Sequence, residues 1–259
     1  MISGCQERPE IILSGAKGSR CGNTRGRRVR AIASAARDPM AFRGSPEGHG
    51  VHPGRHGSDE GRLQPSMETR NETLRRAELV AVGAALVRRG LIRGREGNLS
   101  CRLDARTILV SPRGTDKGRL TAPELVRCRL DEPPVARASS EALTHLAVYR
   151  RCPAAQALVH AHPRDLLALS ARGLLPDPGL LDEGLAVVPR IENVPPLPPG
   201  SERLAEACAD ALARAPVAVV RRHGVFCSGV DIWEALQRVE VVELLAGITL
   251  SETWRGAEI

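Results

Sequence analysis

The chain has 259 residues, room for one large domain or two small ones, and no run near the roughly 18 apolar residues of a membrane-spanning helix. Aromatics are only 2%, which leaves the core to Leu, Val, Ile and Ala and removes the stacking platforms that usually hold single-stranded nucleic acid. The net charge of +7 is uneven: residues 1–66 hold 11 Lys/Arg against 6 Asp/Glu and the remainder 26 against 24, so the basic excess sits in an arm without a nucleic-acid-binding motif.

That arm is rich in Gly, Arg, Ser and Pro, with one apolar patch at 11–13. It buries too little apolar surface to offset its ordering entropy, and is expected to be a disordered extension, with Met67 as an alternative start of the protein. Seven cysteines, at 5, 21, 101, 128, 152, 208 and 227, form no C-x-x-C pair and no disulfide-like spacing. With no signal-peptide-like stretch at the amino terminus, a reducing, cytoplasmic compartment is expected.

From Thr69 the pattern changes. Leu74, Leu79, Val80, Val82, Leu86 and Val87 recur at helical spacing up to Gly90, predicting a helix over 71–89. Gly97-Asn98-Leu99-Ser100 leads into a strand at 101–103, which pairs as a hairpin with 107–111; a short helix at 121–125 and a strand at 126–130 follow. Ser139-Ser140-Glu141 opens a helix to about Arg151, its serines placed to cap free amides and its glutamate suited to the helix dipole. Residues 157–162 read as a short apolar strand and 163–171 as a helix. The Pro- and Gly-rich stretch 173–200 reads as a long connection containing a strand at 185–189. A helix over 201–214, strands at 217–222 and 225–227, and a closing helix over 231–251 complete the order. Helices alternating with short strands predict an α/β sandwich with helices on a central sheet.

The segment richest in chemistry is Val159-His160-Ala161-His162-Pro163. Side chains alternate along a strand, so His160 and His162 project together, and two adjacent imidazoles can share one cation. An H-x-H pair alone is more often two unrelated surface histidines than a metal site. His223 adds weight: it follows the apolar run 216–220 and precedes Gly224, where the backbone can turn sharply or a ligand can come close. Of the four histidines beyond residue 66, three lie at the ends of apolar strands, where α/β proteins commonly place ligands. The fourth, His145, is read as structural. The cation expected is Zn²⁺, with Mn²⁺ or Co²⁺ as alternatives. Glu141, at a helix start, can complete the coordination sphere and then be released to carry a proton. Ser139, Ser140, the Gly97-Asn98 turn and Pro112-Arg113-Gly114 offer amides, hydroxyls and one guanidinium to an anion such as phosphate.

Taken in order and spacing, Gly97-Asn98-Leu99-Ser100, Ser111-Pro112-Arg113-Gly114, Ser139-Ser140-Glu141, His160-Ala161-His162 and Arg222-His223-Gly224 resemble the class II aldolase/adducin family over about residues 70–250. The resemblance implies one three-layer α/β/α domain over 67–259 with a mostly antiparallel central sheet, assembled as a homotetramer. It implies that His160, His162 and His223 are zinc ligands, that Glu141 is both ligand and acid/base, and that Gly97, Asn98, Gly114, Ser139 and Ser140 cradle phosphate. The implied activity is an aldehyde-lyase that cleaves a small phosphorylated sugar, or forms it from an aldehyde and dihydroxyacetone phosphate, through an enediolate whose charge the cation stabilises. Two departures stand out. Arg113 replaces the Thr of the fuculose-phosphate enzymes, and their proton-donating tyrosine has no counterpart, because the single Tyr149 lies in the helix after Glu141 and is expected to pack there. Epimerase members carry Asp in place of Glu141, which favours aldol cleavage. Epimerisation, dehydration and decarboxylation follow the same enediolate logic as alternatives, and adducin-like members use the fold as a non-catalytic binding module.

Overall fold

A computed structural model describes residues 67–255; the expected disordered extension over 1–66 lies outside them. Helix α1 (Met67–Arg88) begins four residues before the predicted start, and its Leu79, Val82 and Leu86 form one fully buried stripe. Strands β1 (Asn98–Arg102) and β2 (Thr107–Val110) make the predicted hairpin, and β3 (Val126–Arg129) pairs antiparallel with β2. Helix α2 (Ala142–Arg151), strand β4 (Ala157–Ala161) and helix α3 (Arg164–Ala171) follow.

The 173–200 connection departs from expectation. Its regular elements are helix α4 (Asp182–Val187) and strand β5 (Ile191–Val194), so residues 185–187 are helical and the strand lies further on. Asp182 and Glu183 occupy the first turn of α4, where carboxylates favour a helix N-terminus, and the apolar run after them is too short to signal a strand by itself. Helix α5 (Glu202–Leu212) is capped by Ser201, whose hydroxyl accepts from the Leu204 amide at 3.2 Å. Strands β6 (Val217–Val220) and β7 (Gly224–Gly229) lead into helix α6 (Ile232–Arg255).

The strands form one seven-stranded sheet in the order β3-β2-β1-β4-β7-β6-β5, antiparallel throughout except for the parallel β5–β6 pair. Two apolar cores flank it. Ala157, Val159 and Ala161 of β4 point into a core shared with α1, α3 and α6; Leu158 and Phe226 point into the other, shared with α2 and α5. This is the three-layer sandwich the sequence implied. None of the described helices is long and apolar enough to cross a membrane. The five cysteines among the described residues are unpaired, and burial pushes the Cys101 and Cys208 thiols up to about 12.

Candidate active site

The sheet register builds the centre. Asn98 of β1, His160 of β4 and Phe226 of β7 sit side by side on adjacent strands, with His160 opposite both neighbours. His160 therefore points toward the α2 layer, away from Val159 and Ala161, and its ring stacks on Phe226 at 3.9 Å between centroids. His162 lies just past the end of β4, its amide donating to Leu91 O at 3.2 Å. His223 is presented by the β6–β7 turn, where Arg222 takes the left-handed conformation at φ 60°. Gly224 acts by close approach rather than by turning: a Cβ there would meet Ala161 O at 2.4 Å and His162 Cδ2 at 2.6 Å. Gly97 does both, with φ at +64° and an added Cβ 2.5 Å from His160 O.

The three imidazoles converge. Their ligand atoms all lie within 4.8 Å of one another. His160 Nε2 and His162 Nε2 are 3.0 Å apart, near the roughly 3.3 Å edge that bonds of about 2.0–2.1 Å give a tetrahedral zinc site. His160 Nδ1 donates to Val225 O at 2.9 Å, which leaves Nε2 with its lone pair. That lone pair faces both His162 Nε2 and Glu141 Oε2, each 3.0 Å away. Such a convergence is repulsive unless a cation or proton lies within it. Protons are disfavoured on two of the rings: burial first, then the neighbouring His160, pushes His162 down to about 3 and His223 to about 4. The residues present fit a divalent cation.

Glu141 stands beside this group, against two of its members. Its Oε1 lies 3.4 Å from His223 Nε2, within ion-pair range but without a hydrogen bond. Its Oε2 accepts from Asn98 Nδ2 at 2.9 Å. Burial opposes its ionisation, but His160, His223 and the Asn98 amide outweigh burial and hold the carboxyl well below the usual carboxylate range.

The residues expected to cradle phosphate all line one cavity of about 360 Å³: Gly97, Asn98, Arg113, Gly114, Ser139 and Ser140, together with Glu141, His162 and His223. Two roomier grooves, of about 720 and 450 Å³, contain no histidine, so volume alone does not mark the site. The serines do not act as side-chain caps of α2. Glu141 itself holds the cap position at φ −106°, and Ser139 Oγ accepts from the Glu141 amide at 3.2 Å. The Ser139 amide is in turn bonded to Ser111 O at 3.0 Å, so this stretch is pinned to the loop after β2 before the helix begins.

Among the lining residues not singled out from the sequence, Lys117 and Glu96 carry charge beside the site. Lys117 is 2% exposed, and its ammonium donates to Arg95 O at 3.1 Å and Thr115 O at 2.8 Å, clamping the two loops that carry Gly97 and Gly114. Burial pushes it down to about 8 against the pull of Asp116. Glu96 Oε2 lies 3.9 Å from His162 Nδ1. Nothing local distinguishes Thr115-Asp116-Lys117-Gly118 from an exposed turn; only the folded loops reveal the burial.

Residues 77–250 match the family described as Class II Aldolase and Adducin N-terminal domain. The chain belongs to this family. Among its relatives, the methylthioribulose-1-phosphate dehydratase of Acidiphilium cryptum is 34% identical over 186 residues, spanning 66% of this chain and 87% of that protein. The 3-oxo-tetronate 4-phosphate decarboxylase of Pectobacterium atrosepticum is 34% identical over 179 residues, spanning 67% and 82%. The crystal structure of L-fuculose-1-phosphate aldolase from Thermus thermophilus superposes with a TM-score of 0.65 at 34% identity, covering 71% of this class II aldolase family chain and 96% of that one.

Proposed function

We propose that this chain is a divalent-metal-dependent lyase acting on a small phosphorylated keto compound, breaking a bond beside the carbonyl by way of an enediolate. The observation that carries the reading is the convergence of three imidazole lone pairs and the Glu141 carboxylate on the wall of a cavity rich in backbone and hydroxyl donors. His160, His162 and His223 would hold the cation, Zn²⁺ in the first instance with Mn²⁺ or Co²⁺ as alternatives. When bound, it supplies Lewis-acid stabilisation of the negative charge that grows on the substrate oxygens.

The protein's own groups divide the remaining work. Arg113 and the loops carrying Gly97, Gly114, Ser139 and Ser140 hold the phosphate. Glu141, with one oxygen on Asn98 and the other free of hydrogen bonds, is placed to accept a proton from the substrate and return it. Tyr149 is buried with its hydroxyl on Ser100 at 2.9 Å and does not line the cavity, so the tyrosine donor of fuculose-phosphate cleavage is not supplied by this residue. That absence, together with relatives named as a dehydratase and a decarboxylase, moves the proposal from aldol cleavage to the alternatives of decarboxylation or dehydration.

The test is a substrate panel on metal-loaded protein. Carbon dioxide release from 3-oxo-tetronate 4-phosphate or water loss from methylthioribulose 1-phosphate supports the reading. Turnover confined to fuculose 1-phosphate, or to condensation of dihydroxyacetone phosphate with an aldehyde, restores aldol chemistry. A protein inert to all of them and free of metal is the non-catalytic module. The proposal includes a homotetramer, which light scattering on a sizing column tests; a monomer mass contradicts it.

A further inference from the structure

Behind Glu141 and its partner Asn98 runs a buried chain of side chains, His145, Ser100 and Tyr149, that the proposed mechanism does not use. Asn98 Nδ2 bonds Glu141 Oε2 at 2.9 Å, His145 Nε2 bonds Asn98 Oδ1, Ser100 Oγ bonds His145 Nδ1 at 2.6 Å, and Tyr149 Oη bonds Ser100 Oγ at 2.9 Å. All five residues are buried, with Ser100 and His145 at 0% exposure. We propose that His145 is a positioning residue: it fixes which end of the Asn98 amide faces Glu141, and so holds the carboxylate in one orientation against the histidine cluster.

Donor and acceptor chemistry decides the direction. A carboxylate only accepts, so the Asn98 nitrogen faces Glu141 and the Asn98 oxygen faces His145. His145 Nε2 must then carry a proton. In a neutral ring Nδ1 is left as an acceptor, so Ser100 donates to it, and the Ser100 oxygen accepts from Tyr149. Every member is satisfied in one direction only. Among the described residues the ring hydrogen-bonds Asn98 and Ser100 alone, packs edge-on against Phe226 at 6.3 Å, and burial outweighs the pull of Glu141 to favour its neutral form. Reversing the Asn98 amide would set its carbonyl against Glu141 and an NH₂ against a ring N–H, leaving two buried clashes of like character. A neutral imidazole in the Nε2–H form thus makes the amide orientation the only satisfied one.

The proposal rests on the reading that Glu141 moves a proton in turnover, and its first test does not depend on that reading. In ¹⁵N-histidine-labelled, metal-free full chain, nitrogen-resolved imidazole spectra, assigned by loss of one ring in His145→Gln, are expected to show His145 neutral and protonated on Nε2. A ring protonated on Nδ1, or a cationic ring in folded protein, overturns it whatever the enzyme's substrate. The second test uses the metal-loaded enzyme. His145→Phe is expected to lower kcat about 10- to 100-fold, the usual cost of losing an outer partner, with KM and bound metal nearly unchanged. His145→Gln, which can return a donor to Asn98, should recover most of that loss. Added to Asn98→Ala, His145→Phe should cost nothing further, because its effect passes through that amide. Losses that multiply in the double variant overturn the proposal.

Discussion

The two faces of β4 are built from one five-residue strand and behave as different materials. Ala157, Val159 and Ala161 face an apolar core to which α1, α3 and α6 contribute. Leu158 and His160 face the α2 side, where Asn98, Ser100, Glu141, His145 and Tyr149 are also buried. Period-two alternation is enough to separate them. One face supplies hydrophobic stabilisation and tolerates changes of detail, while the other stores polar groups that are costly to bury and have value only in one arrangement.

Three substitutions, in descending size of effect, and one condition break that contrast. His160→Ala removes the proposed central ligand of the polar face; metal analysis should show loss of retained zinc and assays loss of turnover, whereas retention of both would remove the histidine from the site. Glu141→Gln should keep the fold and most of the metal while kcat falls about 10²- to 10⁴-fold, the range for losing a general acid/base; a kcat within a few fold of the parent would contradict its role. On the dry face, Leu166→Ala should cost about 2–5 kcal/mol in urea unfolding with metal content per folded chain unchanged. Metal loss there would mean the faces are not separable.

The condition is the pH of metal-free protein. His145 and His162 are held down to about 3 and His223 to about 4 by burial, with repulsion from His160 adding to it, while the unfolded chain titrates them near about 6.5. Between those values the unfolded state binds more protons. The stability is therefore fully present above about pH 6.5 and is lost progressively as pH falls toward 3. A urea midpoint that stays flat from pH 7 to pH 5 would contradict this.

The sequence was a good guide wherever periodicity or spacing was local. The β1–β2 hairpin, the closing helix and the pairing of His160 with His162 follow from alternation and helical recurrence. The edge strand β5 was misplaced because its signal is weak: two of its four residues are polar, and its pairing with β6 spans more than twenty residues. Ser139 and Ser140 matched a capping pattern, yet Glu141 occupies the cap because the preceding backbone is bonded to Ser111. Lys117 and the hydrogen-bond connections of His145 were invisible for a shared reason. Burial of a single polar residue is a tertiary fact, and nothing within a few positions of either residue encodes it.

The most direct measurement is the metal content of purified full-length chain after dialysis against buffered zinc. About one divalent ion per chain is expected, retained by the parent protein and absent from His223→Ala at equal helix content. A folded parent that releases all its zinc would show that residues 160, 162 and 223 meet without forming a metal centre, and the lyase reading would lose its foundation.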